Sequence, residues 1–253
     1  MVQKKAEYGS GPLFKAATMV SGVMVVDALL MLSNIPVVVA PLLVGVANGA
    51  AGGSSVLGGV AVLLSFVLAG PSLVAAAYAF NRLLAGEETG VFRDFVRGYR
   101  ANFRHALAVW VPYVVVLAVI VFNLNLLPGS LSPDPGNPAQ SAARIGLLGL
   151  GLLVATAGVT ATLLLARFTF RVRDLYRLSL YSLGAQKRVS LGNAGILFVT
   201  AFLLTVTTAG LMLVIAGLVV YLVCLNSRPL LRFIEGKFTV PGTAVHQPAG
   251  SAD

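Results

Sequence analysis

The chain has 253 residues, of which 57% are apolar and 11% charged, and its mean hydropathy is +0.89. An average soluble domain carries about 25% charged residues, so a soluble globule of this length is excluded and the apolar residues must be lodged in a bilayer. The net charge of +9 reflects 18 Lys+Arg against 9 Asp+Glu, and the single cysteine, Cys224, leaves no intramolecular disulfide and no cysteine-based zinc site.

A bilayer crossing takes about 20 mostly apolar residues. The first apolar run, 16–47, follows Lys4, Lys5 and Lys15. It is longer than a signal-peptide core and lacks a small-x-small cleavage pattern, so it reads as a retained span. Asp27, Asn34, Pro36 and Pro41 interrupt it. A Gly/Ser-rich turn, 48–55, leads into the second run, 56–84, which contains Gly70-Pro71.

The basic segment 91–105 comes next. Phe92, Phe95, Tyr99 and Phe103 recur at steps of three and four on one helical face, and Arg93, Arg97, Arg100 and Arg104 recur likewise on another. A basic amphipathic helix between two spans is expected to lie along the interface, with its aromatic side down and its arginines among lipid phosphates. There it either anchors topology or docks a cytoplasmic partner.

The third run, 106–127, holds the only tryptophan, Trp110, near its start, and a polar, proline-rich loop, 128–142, precedes the fourth run, 145–166. A second basic connection, 171–193, places Leu175, Leu178 and Tyr181 or Ser182 on a face beside Arg177. The last apolar stretch, 194–225, would be about 48 Å as one helix against a hydrocarbon core of about 30 Å. Splitting it near residues 207–210 gives two spans, 191–208 and 210–227. The tail, 238–253, reads as disordered and cytoplasmic.

The distribution of positive charge favours the split. With six spans, 17 of the 18 basic residues fall on one side and Arg144 faces the other. The expectation is therefore an all-α, polytopic transmembrane bundle of about six spans with amphipathic cytoplasmic interfacial helices. It forms one domain, 1–237, in the plasma (inner) membrane with both termini cytoplasmic. The basic segments absorb the excess charge, which makes anionic lipid the expected partner and leaves nucleic acid unneeded.

Asp27 has no other charged residue within eleven positions on either side. An ionised carboxylate inside a bilayer is costly, so it faces the bundle interior, pairs, or takes up a proton. It either fixes helix packing through hydrogen bonds or serves as a proton, cation or substrate site. Asn34 lies seven residues on, on the same helical face. Pro36 and Gly70-Pro71 are candidate helix breaks, which free carbonyls as at the broken-helix sites of transporters or else produce simple kinks. Gly151/Ala155 and Gly158/Thr162 have the small-xxx-small spacing that suits close helix contact. P-loop, HExxH and GxSxG signatures are absent, and His105 and His246 lie apart. No enzyme, metal or cofactor is expected.

Several motif elements occur together in the first half: Gly11-Pro12-Leu13-Phe14, Asn34-Ile35-Pro36-Val37-Val38, and Gly70-Pro71-Ser72 with Ala77-Tyr78. The last is Gly90-Val91-Phe92-Arg93-Asp94-Phe95, continuing to Asn102-Phe103-Arg104. In their order and joint occurrence, residues 11–123 resemble the YesL-like family of bacterial integral membrane proteins, which is defined by a domain of unknown function. The resemblance implies a plasma-membrane protein of about six helices, often encoded beside carbohydrate ABC transporters and glycoside hydrolases. It thus implies a non-enzymatic accessory or permease-like component of carbohydrate uptake, with transporter subunits as partners, and no catalytic residues to carry over. The chain departs from the family at 40–69, an apolar insertion that either lengthens two spans or forms an extra hairpin. Two alternatives stand beside this reading: a small autonomous transporter or channel using Asp27 and the broken helices, and a structural or lipid-organising membrane protein.

Overall fold

The computed structural model describes residues 12–51, 56–87, 90–126, 138–168, 170–206 and 209–238. The expected tail therefore lies, save for Phe238, outside the described residues, as do most of the loop expected at 128–142 and residues 207–208 of the expected split. Among the described residues the chain is all-α. The helices are α1 (Pro12–Ser33), α2 (Ile35–Ala51), α3 (Val56–Ala85), α4 (Val91–Leu126), α5 (Pro138–Arg167), α6 (Val172–Ala185), α7 (Lys187–Val206), α8 (Ala209–Asn226) and α9 (Arg228–Phe238).

The first expected span is two helices. Pro36 has no N–H to donate to the carbonyl four residues back, and its ring crowds that turn. The helix accordingly ends at Ser33 and restarts at Ile35. At the break, Asn34 takes over the bonding: its side-chain amide donates to Leu30 O and to Ser72 Oγ of α3, both at 2.8 Å. The interruption expected at Gly70-Pro71 is absent, because α3 runs unbroken through Pro71. The turn that Pro71 loosens is clamped from α4, where Trp110 Nε1 donates to Phe66 O at 3.0 Å and the indole lies against Gly70.

Helix α3 is the central element. Val74, Ala75, Ala76, Ala77, Ala79 and Phe80 are all buried, and α1, α2, α4, α5 and α8 pack around it. Lipid is as apolar as leucine, so helices in a bilayer associate chiefly through close packing, which small residues permit. The alanine run lets neighbouring helices approach from several sides. Gly22 meets Leu83, and Asn34 meets Ser72, so α1 lies antiparallel to α3. The 40–69 insertion extends this arrangement, since α2 packs on α3 and only residues 52–55 separate the two helices.

Large apolar side chains are turned outward: Met24, Leu32, Leu64, Phe122, Leu148 and Phe198 are each about 60% exposed or more. Apolar surface of this extent is untenable in water and suits lipid contact. By length and composition, four helices among the described residues can cross a membrane, over Ala16–Ser33, Leu63–Ala85, Val91–Leu124 and Pro138–Arg167. A bent pair, Ile215–Asn226 and Arg228–Gly236, meeting at 44°, makes up to five. The molecule is a membrane-embedded helical bundle.

The expected interfacial helix at 91–105 is the first part of a single 36-residue helix, α4, folded back against α3. Gly98 sits on the Tyr78 ring, where a Cβ would come within 3.0 Å. The glycine that weakens an isolated helix is thus the point of close approach. The proline at 138 opens α5 inside the expected loop, a position where its missing N–H costs nothing.

Candidate functional site

The polar groups of the bundle fall into four clusters, each at a contact between helices. In the first, Asp27 of α1 faces α8, and its Oδ1 accepts a hydrogen bond from Gly217 N–H at 2.5 Å. A Cβ on residue 217 would lie 2.8 Å from that oxygen, 2.9 Å from Cγ and 3.0 Å from the Asp27 backbone nitrogen. Only glycine admits this approach. Four residues toward the helix end, Tyr221 packs edge-on to Phe80 and its hydroxyl reaches Met19 Sδ, so the seam continues along α1 and α8. Asn34, expected to extend a polar stripe from Asp27, instead bonds to Ser72 of α3. The two residues serve different helix contacts. Pro36 is exposed and Pro71 buried, so the two prolines do not line a common recess.

The second cluster closes the α3–α4 turn. Arg82 contacts Glu87 at 2.6 Å and Asp94 at 3.2 Å, and also takes up the Tyr78 hydroxyl. Asp94 is 2% exposed. Its charge is held by the adjacent arginine, which is thereby committed and does not serve Asp27. Gly86 and Gly90, with φ of 80° and 88°, make the reversal that α3 and α4 need to pair.

The third cluster joins α7 to α8. Asn193, fully buried, donates to Ser227 Oγ at 2.9 Å and accepts from Asn226 Nδ2 at 2.8 Å. Asn226 also donates to Val189 O. These bonds join the start of α7 to the end of α8, so the two helices are antiparallel. Arg228 then donates to Leu84 O, and Leu230, Leu231 and Ile234 of α9 are buried, which ties this short helix into the core. The fourth cluster anchors α6 to α4: Tyr176 donates to Ala108 O at 2.6 Å, and the Tyr113 hydroxyl bonds Ser179 Oγ at 2.9 Å. Burial beside Tyr113 pushes the Tyr176 phenol above its ordinary range. The inward face of α6 is Leu175, Ser179 and Ser182, whereas Tyr181 is exposed.

The face expected to carry aromatic docking residues is largely occupied. Phe95 is in the core, and Phe95, Tyr99 and Phe103 form a ladder of rings with centroids 6.4 Å and 5.5 Å apart. Phe92 alone of the four is exposed. The arginine face is open: Arg93, Arg97, Arg100 and Arg104 are exposed, and among the described residues none of them is in an ion pair. The small-xxx-small positions of α5 mark its contact with α4, where Gly158 lies against Tyr113 and Gly151 near Ile120.

Sequence reasoning missed Gly217, Asn193, Asn226 and Ser227. A glycine or an asparagine in an apolar run is a visible signal, but in a chain with 27 glycines spacing alone does not select the one that meets Asp27. Among the described residues no group of three or more His, Cys, Asp or Glu side chains could hold a metal ion.

The model of a family described as "Protein of unknown function, DUF624" matches residues 23–124, from inside α1 to near the end of α4. No curated protein and no solved structure matches the chain.

Proposed function

We propose that this chain is a non-enzymatic accessory subunit of the bacterial plasma membrane, held beside a carbohydrate ABC-type transporter, with six crossings and both termini cytoplasmic. The observation that carries the non-conducting part of this reading is the Asp27–Gly217 contact. A carboxylate available to a permeating solute needs room and water, whereas Oδ1 of this one accepts from a backbone N–H across a seam too tight for a methyl group. Asn34 and Asn193 are likewise committed to neighbouring helices. Polar groups used in this way give a bundle its register and specificity. The process itself rests on the motif resemblance of residues 11–123, and the orientation rests on the sorting of basic residues.

The test is purification of the chain, at its native level, from its own membrane. Transporter subunits should co-purify in fixed ratio, and their absence under mild solubilisation refutes the accessory role. Reconstituted vesicles provide the second arm. Uptake of a sugar or ion that is lost in Asp27→Asn would replace this reading with that of an autonomous transporter.

A further inference from the structure

An open groove of about 430 Å³ lies between α1 and the first turn of α4, in the size range of small-ligand sites. Its α1 wall presents Thr18, Ser21 and Val25, and its α4 wall Val91, Phe92 and Arg93. Arg93 is exposed, without an ion-pair partner among the described residues, and begins the row continued by Arg97, Arg100 and Arg104. Beside it Phe92 is 61% exposed, and on α1 Val20, Met24 and Val25 are turned outward as well. The lining thus combines the Arg93 guanidinium with apolar side chains, and exposed apolar residues continue along α1; the Ser21 hydroxyl itself donates to Thr18 O.

We propose that this groove binds one anionic phospholipid, with its phosphate on Arg93 and an acyl chain along Val25 and Phe92. The guanidinium pairs with phosphate oxygens through parallel N–H···O bonds, and the preference for an anionic headgroup comes from net charge, because the choline ammonium of a zwitterionic lipid repels the same guanidinium. The apolar wall selects a lipid over a soluble phosphate, because a free anion leaves Phe92 and Val25 uncovered and gains nothing from them. The site is independent of the transporter reading, since it uses neither the Asp27 seam nor a protein partner.

The test titrates the full chain, purified in a zwitterionic detergent, with phosphatidylglycerol carrying a fluorescent acyl chain and with phosphatidylcholine carrying the same label. Phosphatidylglycerol should bind about tenfold more tightly, and Arg93→Gln should remove most of that preference. Arg93→Lys should restore part of it. Ser21→Trp, which fills the groove and leaves the charge, should abolish binding, with Val25→Trp as the blocking variant if the first does not fold. Arg104→Gln, at the far end of the row, should leave binding unchanged. Equal losses in Arg93→Gln and Arg104→Gln would mean diffuse attraction to the basic row and would overturn the site. So would undiminished binding in the folded blocking variant. Displacement of the lipid by millimolar glycerol phosphate would reassign the groove to a soluble anion, and displacement by polyglutamate would reassign it to an acidic protein segment. Either result refutes the lipid proposal.

Discussion

Replacing Gly217 by alanine tests the α1–α8 seam. The added methyl would meet Asp27 Oδ1 at 2.8 Å, Cγ at 2.9 Å and the Asp27 backbone nitrogen at 3.0 Å. A rotamer change clears the first two contacts but not the third, so the helices must also move apart. Overpacking of this kind costs about 1–3 kcal/mol. Losing the hydrogen bond from Gly217 N–H adds about 0.6 kcal/mol, the average for such bonds inside membranes. Against this, alanine gains about 1 kcal/mol over glycine in a helix. The net expectation is a destabilisation of about 0.6–2.6 kcal/mol, read as a shift in reversible unfolding in mixed detergent micelles. Gly195→Ala is the control: a Cβ there meets nothing within 4 Å, so it should be neutral or stabilising. Asp27→Ala in the Gly217→Ala background removes two of the three close contacts, and the double variant should be more stable than the sum of the singles predicts by at least 1 kcal/mol. Additive effects within about 0.5 kcal/mol, with Gly217→Ala stabilising, would refute the packing argument.

Three further changes probe the other contacts. Gly70→Ala places a methyl 2.6 Å from the Trp110 ring and should displace it at a cost of about 1–3 kcal/mol. Because Trp110 is the only tryptophan, its emission maximum reports the displacement directly, and an unchanged spectrum would count against the contact. Asp94→Asn leaves Glu87 as the ion-pair partner of Arg82, beside the Tyr78 hydroxyl, so a loss of roughly 2–3 kcal/mol is expected; Glu87→Gln, at an exposed partner, should lose less than about 1 kcal/mol. The two can be ranked by thermal unfolding. Tyr176→Phe removes the 2.6 Å bond to Ala108 O and should cost about 1 kcal/mol. Its signature is faster amide exchange confined to α6, and uniform protection would show that the bond does not hold that helix.

Much of the architecture was legible in the chain itself. The apolar runs mark where helices must lie, because a lipid environment leaves a backbone little alternative to satisfying its own hydrogen bonds. The missing N–H of Pro36 announces the break beside Asn34, and the steps of three and four between Arg93 and Arg104 place them on one face. What neighbours decide was not legible. Pro71 carries the same local liability as Pro36, yet its helix continues because Trp110 clamps the turn from α4. The segment at 91–105 has the periodicity of an interfacial helix, but Asp94 and Gly98 meet Arg82 and Tyr78 of α3 and Phe95 is buried in the core, which draws it into the bundle. Asp27 was conspicuous as a lone carboxylate, and its partner was not, since a backbone N–H belongs to every residue but proline. Local propensity and hydropathy act along the chain and can be read there. The Asp27–Gly217 seam depends on which surfaces come within 3 Å of each other, and only the packed helices decide that.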